Sequence, residues 1–371
     1  MTIAAFSQNP AILTWLKLQS VPGLGPLRFS RLMAAFGGAD RALNTPASGL
    51  ARISGISPRL AEAIQSAARL PDAPFLEEIR QARQAGVRIL GLGMEGYPEL
   101  LARIPDPPPV LYVRGTLIPD AIAVAIIGSR NATVYGKENA FSIASDLAKS
   151  GVLVVSGLAR GIDAAAHEGA LAAGGMTLAV LGSGLHHIYP TQNRELARRI
   201  ETAGALVTPF SMNTPPDGPN FPARNRIISG LCLGTAVIEA AERSGSLITA
   251  RLAGEQGREV FALPGNVRSM KSSGTHRLLR EGACLVEKAE DILNELGILK
   301  QKRASESRSP AQNSLALTES TVFKALEAYP IHIDELTRRT GMAAGPLSAT
   351  LFALELQGRI VQYPGKYFAT S

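Results

Sequence analysis

From residue 122 onward the chain alternates between short, almost wholly apolar runs and longer stretches with helical spacing. The apolar runs are Ile122–Ile127, Val152–Val155, Thr177–Leu181, Ala205–Val207, Thr235–Ile238 and Glu259–Ala262. The helical stretches fall at 137–149, 162–173, 191–203, 222–231 and 246–257. A strand with one face in water would alternate apolar and polar residues, whereas these runs are apolar on both faces. Each belongs in a sheet covered by helices on both sides. The alternation therefore predicts an α/β fold, a Rossmann-like doubly wound and mostly parallel sheet.

The flanks follow other patterns. Residues 10–70 read as short helices broken by glycine turns. Leu18–Leu27, with Gly23-Leu24-Gly25 at its centre, has a helix-hairpin-helix pattern, and Ile53–Leu60 is a weaker second copy. Such turns expose backbone N–H groups that can grip a phosphate, or they simply close a small packing domain. A helix, Phe75–Ala85, and a strand, Val87–Leu90, lead into a proline-stiffened connector, Ile104–Gly115. Lys300–Pro310 is polar, basic and aperiodic, as linkers are. Helices at Glu319–Ala328, Ile333–Thr340 and Leu347–Leu356, then a hairpin at Arg359–Phe368, make a winged-helix pattern. The expected organisation is a SAM-like or helix-hairpin-helix domain at 1–74, the Rossmann-like domain at 75–299, a linker at 300–317 and a winged helix at 318–371.

Composition narrows the function classes. With 371 residues, 46% of them hydrophobic and 19% charged, the chain can bury the cores of two or three domains, which excludes a disordered or disulfide-stapled protein. The longest apolar runs fall far short of the roughly 20 residues that span a bilayer. The N-terminus lacks a basic segment followed by an apolar one. Cys232 and Cys284 form no CxxC pair, which suits a reducing cytoplasm. The five histidines show no metal-ligand spacing. These features imply a cytoplasmic protein with no membrane contact and no bound metal.

Net charge is +7, which invites a nucleic-acid reading. The excess lies in residues 1–74 (+4) and 300–317 (+3), whereas 75–299 and 318–371 are each neutral. An anion site in the large central segment must therefore come from local arrangement. Open α/β sheets bind ligands beyond the carboxyl ends of their strands, and several of those ends here carry small or polar loops. They include Gly128-Ser129-Arg130-Asn131, Ser156-Gly157-Leu158-Ala159-Arg160-Gly161 and Gly182-Ser183-Gly184. Phe221-Pro222-Ala223-Arg224-Asn225-Arg226 and Ser244-Gly245-Ser246 complete the rim. Glycines let backbone approach a phosphate, helix N-termini add N–H donors, and Arg130, Arg160, Arg224 and Arg226 can make bidentate contacts.

The nature of the anion is narrowed by what these loops lack. Neither Gly128-Ser-Arg-Asn nor Gly182-Ser-Gly-Leu-His-His completes a dinucleotide fingerprint, and a Walker A loop is missing. No cofactor is expected. Ser129, Asp163, His186 and Glu239 have no triad or nucleophile-elbow spacing. Gly234-Thr235 with Glu239 leaves a nucleotide-processing enzyme of the phosphoribohydrolase type as the alternative. Tyr135, Tyr189, Phe210 and Phe221 fall in or beside the rim. Bases splayed from a single strand stack on such rings whatever their sequence. Phe221 is the expected stacking residue, with Tyr189 and Phe210 packed under their loops.

In order along the chain come Gly128-Ser-Arg130 with Tyr135-Gly136, Ser156-Gly-Leu-Ala-Arg-Gly-Ile-Asp163-Ala-Ala-Ala-His167, Gly182-Ser-Gly184, Tyr189-Pro190 with Asn193, Phe221–Leu231, Glu239-Ala240 with Ser244–Ala250, and Pro264-Gly-Asn266 with Gly274-Thr275. Together they resemble the DNA-processing protein A (DprA, or Smf) family of bacterial transformation, over residues 100 to 290. The resemblance implies a non-enzymatic protein that binds incoming single-stranded DNA, protects it and loads RecA onto it for recombination. It implies a homodimer, with the stretch Gly274 to Leu285 near the interface. It makes Arg130 a main phosphate contact, Phe221 a base-stacking residue, and Arg224 and Asn225 backbone contacts. Many relatives carry lysine just after Tyr-Pro, where this chain has Thr191-Gln192, and asparagine where His276 stands. The third helix of the winged-helix pattern, Leu347–Leu356, carries no basic residue, which favours an accessory or protein-contact role over reading duplex sequence.

Overall fold

The computed structural model describes residues 11–298, 322–323, 325–326, 329–356 and 359–370. The basic linker at 300–317 and most of the expected helix 319–328 lie outside them. The chain divides into two units, Met1–Leu296 and Gly297–Ser371.

The first unit is built on nine strands: β1 (Val87–Gly91), β2 (Val110–Gly115), β3 (Ala123–Ile127), β4 (Leu153–Ser156), β5 (Thr177–Val180), β6 (Ala205–Thr208), β7 (Gly234–Val237), β8 (Glu259–Ala262) and β9 (Cys284–Leu285). Their spatial order is β1-β2-β6-β5-β4-β3-β7-β8-β9. From β6 to β9 every pairing is parallel, while β1–β2 and β2–β6 are antiparallel. Strands β3 to β7 are buried at every position, as apolar runs on both faces require. The sheet is thus doubly wound and mostly parallel, with β1 and β3 to β8 within about a residue of their expected places and β9 an addition at the edge.

Chain order sets where a ligand crevice opens. Strands β3, β4, β5 and β6 step outward in one direction, and β7, β8 and β9 step outward in the other. Helices leaving β3 and β7 therefore turn to opposite faces. The gap beyond the carboxyl ends of these neighbours is the topological switch point of an open α/β sheet.

The boundary expected at residue 74 is not a break in packing. Trp15, Leu18, Phe29, Leu32, Leu50 and Ile64 share one core with Val87, Tyr112, Leu206 and Met212. Trp15 lies so close over β1 that a Cβ on Gly91 would come within 2.6 Å of its ring. Gln19 Nε2 also donates to Pro209 O at 3.1 Å. At the glycine turns Gly23 and Gly55 hold φ of +82° and +87°, and Ser57 caps the helix Pro58–Ala67 by accepting from Leu60 N–H.

The second unit pairs helices Ile333–Thr340 and Ala344–Leu356 with a three-stranded sheet formed by Ile331–His332, Tyr367–Thr370 and Ile360–Tyr363. Leu336, Leu347, Leu351, Leu354, Ile360 and Phe368 form its core. This is the winged-helix arrangement expected from the sequence. Among the described residues no helix is long and apolar enough to cross a membrane.

Candidate nucleic-acid interface

A cleft of about 490 Å3 opens at the switch point. Gly128, Ser129, Arg130 and Asn131 bring the end of β3 into it, Ala159 and Asp163 the loop after β4, and Arg243, Ser244, Gly245 and Ser246 the loop after β7. Arg224 and Asn225 enter from the helix Asn220–Gly230. Arg130 and Arg224 also line a second recess, with Gly157, Arg160, Tyr189 and Phe221.

The loops are held by a buried carboxylate on each side. Asp163, in the first turn of the helix Ile162–Ala172, accepts from Gly157 N–H at 3.1 Å and Ala159 N–H at 3.3 Å. Glu239 accepts from the Thr133 N–H and hydroxyl, and Ser129 N–H donates to its carbonyl at 2.7 Å. Both carboxylates thus serve to hold these loops in place. His186 Nδ1 is paired with Asn213, and the Ser129 hydroxyl accepts from Asn131 N–H.

The four arginines split into two kinds. Arg130 and Arg160 are exposed, and among the described residues neither guanidinium has a hydrogen-bond or ion-pair partner in the protein. Arg130 lies with Cζ 5.3 Å from the centroid of the Phe221 ring, a cation–π placement that orients it without using its N–H donors. Arg224 is only 3% exposed. It donates through Nη1 to Val180 O and faces the charge of Asp163. Burial pulls its pKa down to about 10 against the pull of Asp163. Arg226 donates to Asp106 O at 2.5 Å and pairs with the Asp106 carboxylate at 3.2 Å. Both residues thus have a use within the fold beside the phosphate contact expected of them: Arg226 is held by Asp106, and Arg224 binds Val180 O through Nη1 while it lines both recesses, its Nε left without a hydrogen-bond partner.

The small residues divide likewise. Gly128, Ser129, Gly245 and Ser246 line the cleft. Ser156 is fully buried and its hydroxyl donates to Ile126 O at 2.6 Å, so it braces strands instead of facing a ligand. Gly157 is buried beneath Arg224 and Asp163, and Gly161, at φ +79°, lies tight against the carbonyls of Ser129 and Arg130. These glycines permit loop-on-loop contact. A Cβ on Gly182 would strike the Phe221 ring at 2.7 Å, so this residue is the seat of that ring; Gly184 packs against the backbone of Ser211 and Met212.

Tyr189 departs from its expected place under the loop. It is 46% exposed, and its ring stands 5.7 Å from that of Phe221 at 51°. With Arg130 on the other ring contact, the recess presents two aromatic faces and a guanidinium. The signal for Tyr189 in the sequence was its place at the end of the glycine loop, but exposure depends on the loop's path. Elsewhere Glu259, Cys284 and Glu295 bring possible ligand atoms within 4.8 Å of one another at the sheet edge, a grouping that spacing along the chain did not disclose.

Residues 88–297 match the family model for DNA recombination-mediator protein A, and residues 306–366 match the DprA winged helix domain. The chain is 43% identical to Protein Smf of Escherichia coli over 74% of this chain and 75% of that one. It is 34% identical to Protein Smf of Synechocystis over 95% and 96% respectively. Among solved structures, it is similar to DNA processing protein A of Streptococcus pneumoniae (35% identity, TM-score 0.67, covering 76% of this chain and 97% of that one). It is also similar to DNA processing protein A of Helicobacter pylori (32%, TM-score 0.52, 58% and 96%), a structure described for its single-stranded DNA binding mode. Fold, motif order and these matches agree, and the chain belongs to the DNA recombination-mediator protein A (DprA/Smf) family.

Proposed function

We propose that this chain binds single-stranded DNA, without regard to its sequence, along the rim of the switch-point cleft, and delivers it to the RecA recombinase. The observation that carries the reading is the trio of Arg130, Phe221 and Tyr189: a guanidinium with its donors unspent beside two aromatic rings. Phosphate needs the first, and an unstacked base needs the second. A duplex offers no free base faces to such rings. The Helicobacter pylori relative, which binds single-stranded DNA, supports the same reading for this chain.

In this reading Gly128, Ser129, Arg130, Arg160, Asn225, Gly245 and Ser246 contact the phosphate backbone, and Phe221 and Tyr189 stack bases. The protein acts by holding and handing on DNA, without catalysing a reaction. It works as a homodimer whose contact lies at the far edge of the sheet, where Leu285 on the terminal strand β9 is 54% exposed. Fluorescence anisotropy of a labelled oligo-dT against a matched duplex, over a salt series, tests the reading. Preferential binding of the single strand, weakening linearly with the logarithm of salt concentration as counterions are released, is the expected result. Equal binding of both, or tighter binding of the duplex, would contradict it.

A further inference from the structure

The loop that carries Arg130 continues past the switch-point cleft. Beyond Asn131 it caps the helix Val134–Lys149 through Thr133, and there it meets the segment that follows β8. Lys271 Nζ donates to Asn131 O at 2.6 Å, and the Tyr135 hydroxyl donates to Pro264 O at 3.1 Å. Between the two segments lies a cavity of about 500 Å3, lined by Tyr135, Ile238, Glu239, Pro264, Asn266 and Ser269 among others.

Its chemistry differs from that of the first cleft. No arginine or lysine lines it. Its one charge, the Glu239 carboxylate, is taken up by the N–H and hydroxyl of Thr133. Apolar surface from Ile238 and Pro264 stands beside the neutral hydrogen-bonding groups of Asn266 and Ser269. That mixture fits a flat, uncharged heterocycle and not a phosphate. The Tyr135 ring is tethered by its hydroxyl yet 53% exposed, as a stacking face must be. The cations sit at the rim: Lys271 over Asn131, and Arg268, whose side chain is in solvent.

We propose that this cavity is a second base subsite, with Tyr135 as its stacking face and Lys271 and Arg268 as phosphate contacts for a strand that leaves the Arg130–Phe221 recess toward β8. The inference rests on the reading that single-stranded DNA occupies the Arg130 rim, and it adds a path. It makes affinity climb with oligonucleotide length beyond what the first recess alone can engage.

The test measures binding of oligo-dT strands from roughly 4 to 16 nucleotides, the range one such platform covers, to the full chain and to Tyr135→Ala, Tyr135→Phe and Arg130→Ala. Tyr135→Ala is expected to weaken the long strands by roughly tenfold, the order of one lost base stack, and to leave the shortest strand that binds unaffected. Tyr135→Phe keeps the ring and retains the length dependence. A 2-aminopurine placed along the strand loses a quenching step in Tyr135→Ala alone. Tyr135→Ala with the wild-type length dependence, or with the same loss at every length, would overturn the second subsite. Unchanged binding by Arg130→Ala would instead overturn the rim reading. Because the Tyr135 side chain is half in solvent, the variant folds, and its unfolding midpoint verifies this.

Discussion

The switch-point rim and the winged-helix unit are both surfaces that could meet DNA, and they differ in how their cations are used. The rim lies in a segment with no net charge, yet it holds two arginines whose donors are free. Residues 318–371 are also neutral, but the helix in the recognition position, Ala344–Leu356, has no basic side chain at all. Two of its cations, Arg338 and Arg339, lie on the preceding helix, where both pair with Glu335; Arg359 and Lys366 are exposed on the hairpin. Net charge counts these groups alike. What separates a binding surface from a solvated one is whether the donors are already spoken for inside the protein.

The same contrast operates within the rim and can be broken there. The largest effect is expected from Arg224→Leu, which leaves the buried Asp163 carboxylate without the guanidinium charge it faces. Removing one partner of a buried pair costs about 3–5 kcal/mol, and urea unfolding would register it. A loss below 1 kcal/mol would mean that Arg224 is not the structural member of the set. Next comes Phe221→Ala, which removes a base platform. It should weaken oligo-dT binding by about 1–3 kcal/mol while leaving the unfolding midpoint nearly in place. A variant that binds as the wild type would shift the stacking role to Tyr189.

The smallest effect near neutral pH, though one that grows as pH falls, concerns His167, below the rim. Its Nδ1 lies 2.7 Å from the Thr177 hydroxyl, which itself donates to Val154 O. The imidazole must then donate from Nδ1. Burial, with some help from the charge of Arg224, pushes its pKa down to about 3. The unfolded chain takes up a proton that the folded chain refuses, so this contribution is complete above pH 6.5 and is lost as pH falls toward 3. The slope is about 1.4 kcal/mol per pH unit. Asp163, whose carboxyl burial pushes upward, acts in the opposite sense. The difference between wild type and His167→Gln isolates the imidazole: the variant should lose that slope, and an unchanged slope would show that His167 titrates normally.

How much of this was legible beforehand follows from what periodicity records. Strands buried on both faces leave runs that only a covered sheet explains, so β3 to β8 stood out. Glycine loops at their ends marked the rim. The shared core of Trp15 with β1 was not legible, because contact between segments far apart in sequence leaves no local period. Arg130 and Arg224 look equivalent as letters beside small residues. Only the path of the helix Asn220–Gly230 places Arg224 under the loop, opposite Asp163. Likewise Tyr189 and Phe221 are far apart along the chain, and their pairing appears only when two loops fold together.

The most direct test sets a free arginine against a committed one. Oligo-dT binding over a salt series would be measured for wild type, Arg130→Ala and Arg226→Ala. Arg130→Ala is expected to lose most of its affinity and to lower the salt slope by about 1, the signature of one lost phosphate contact. Arg226→Ala should keep both affinity and slope, because its guanidinium is held by Asp106. Wild-type binding by Arg130→Ala, or an equal loss in both variants, would contradict the assignment of the switch-point rim as the DNA-binding surface.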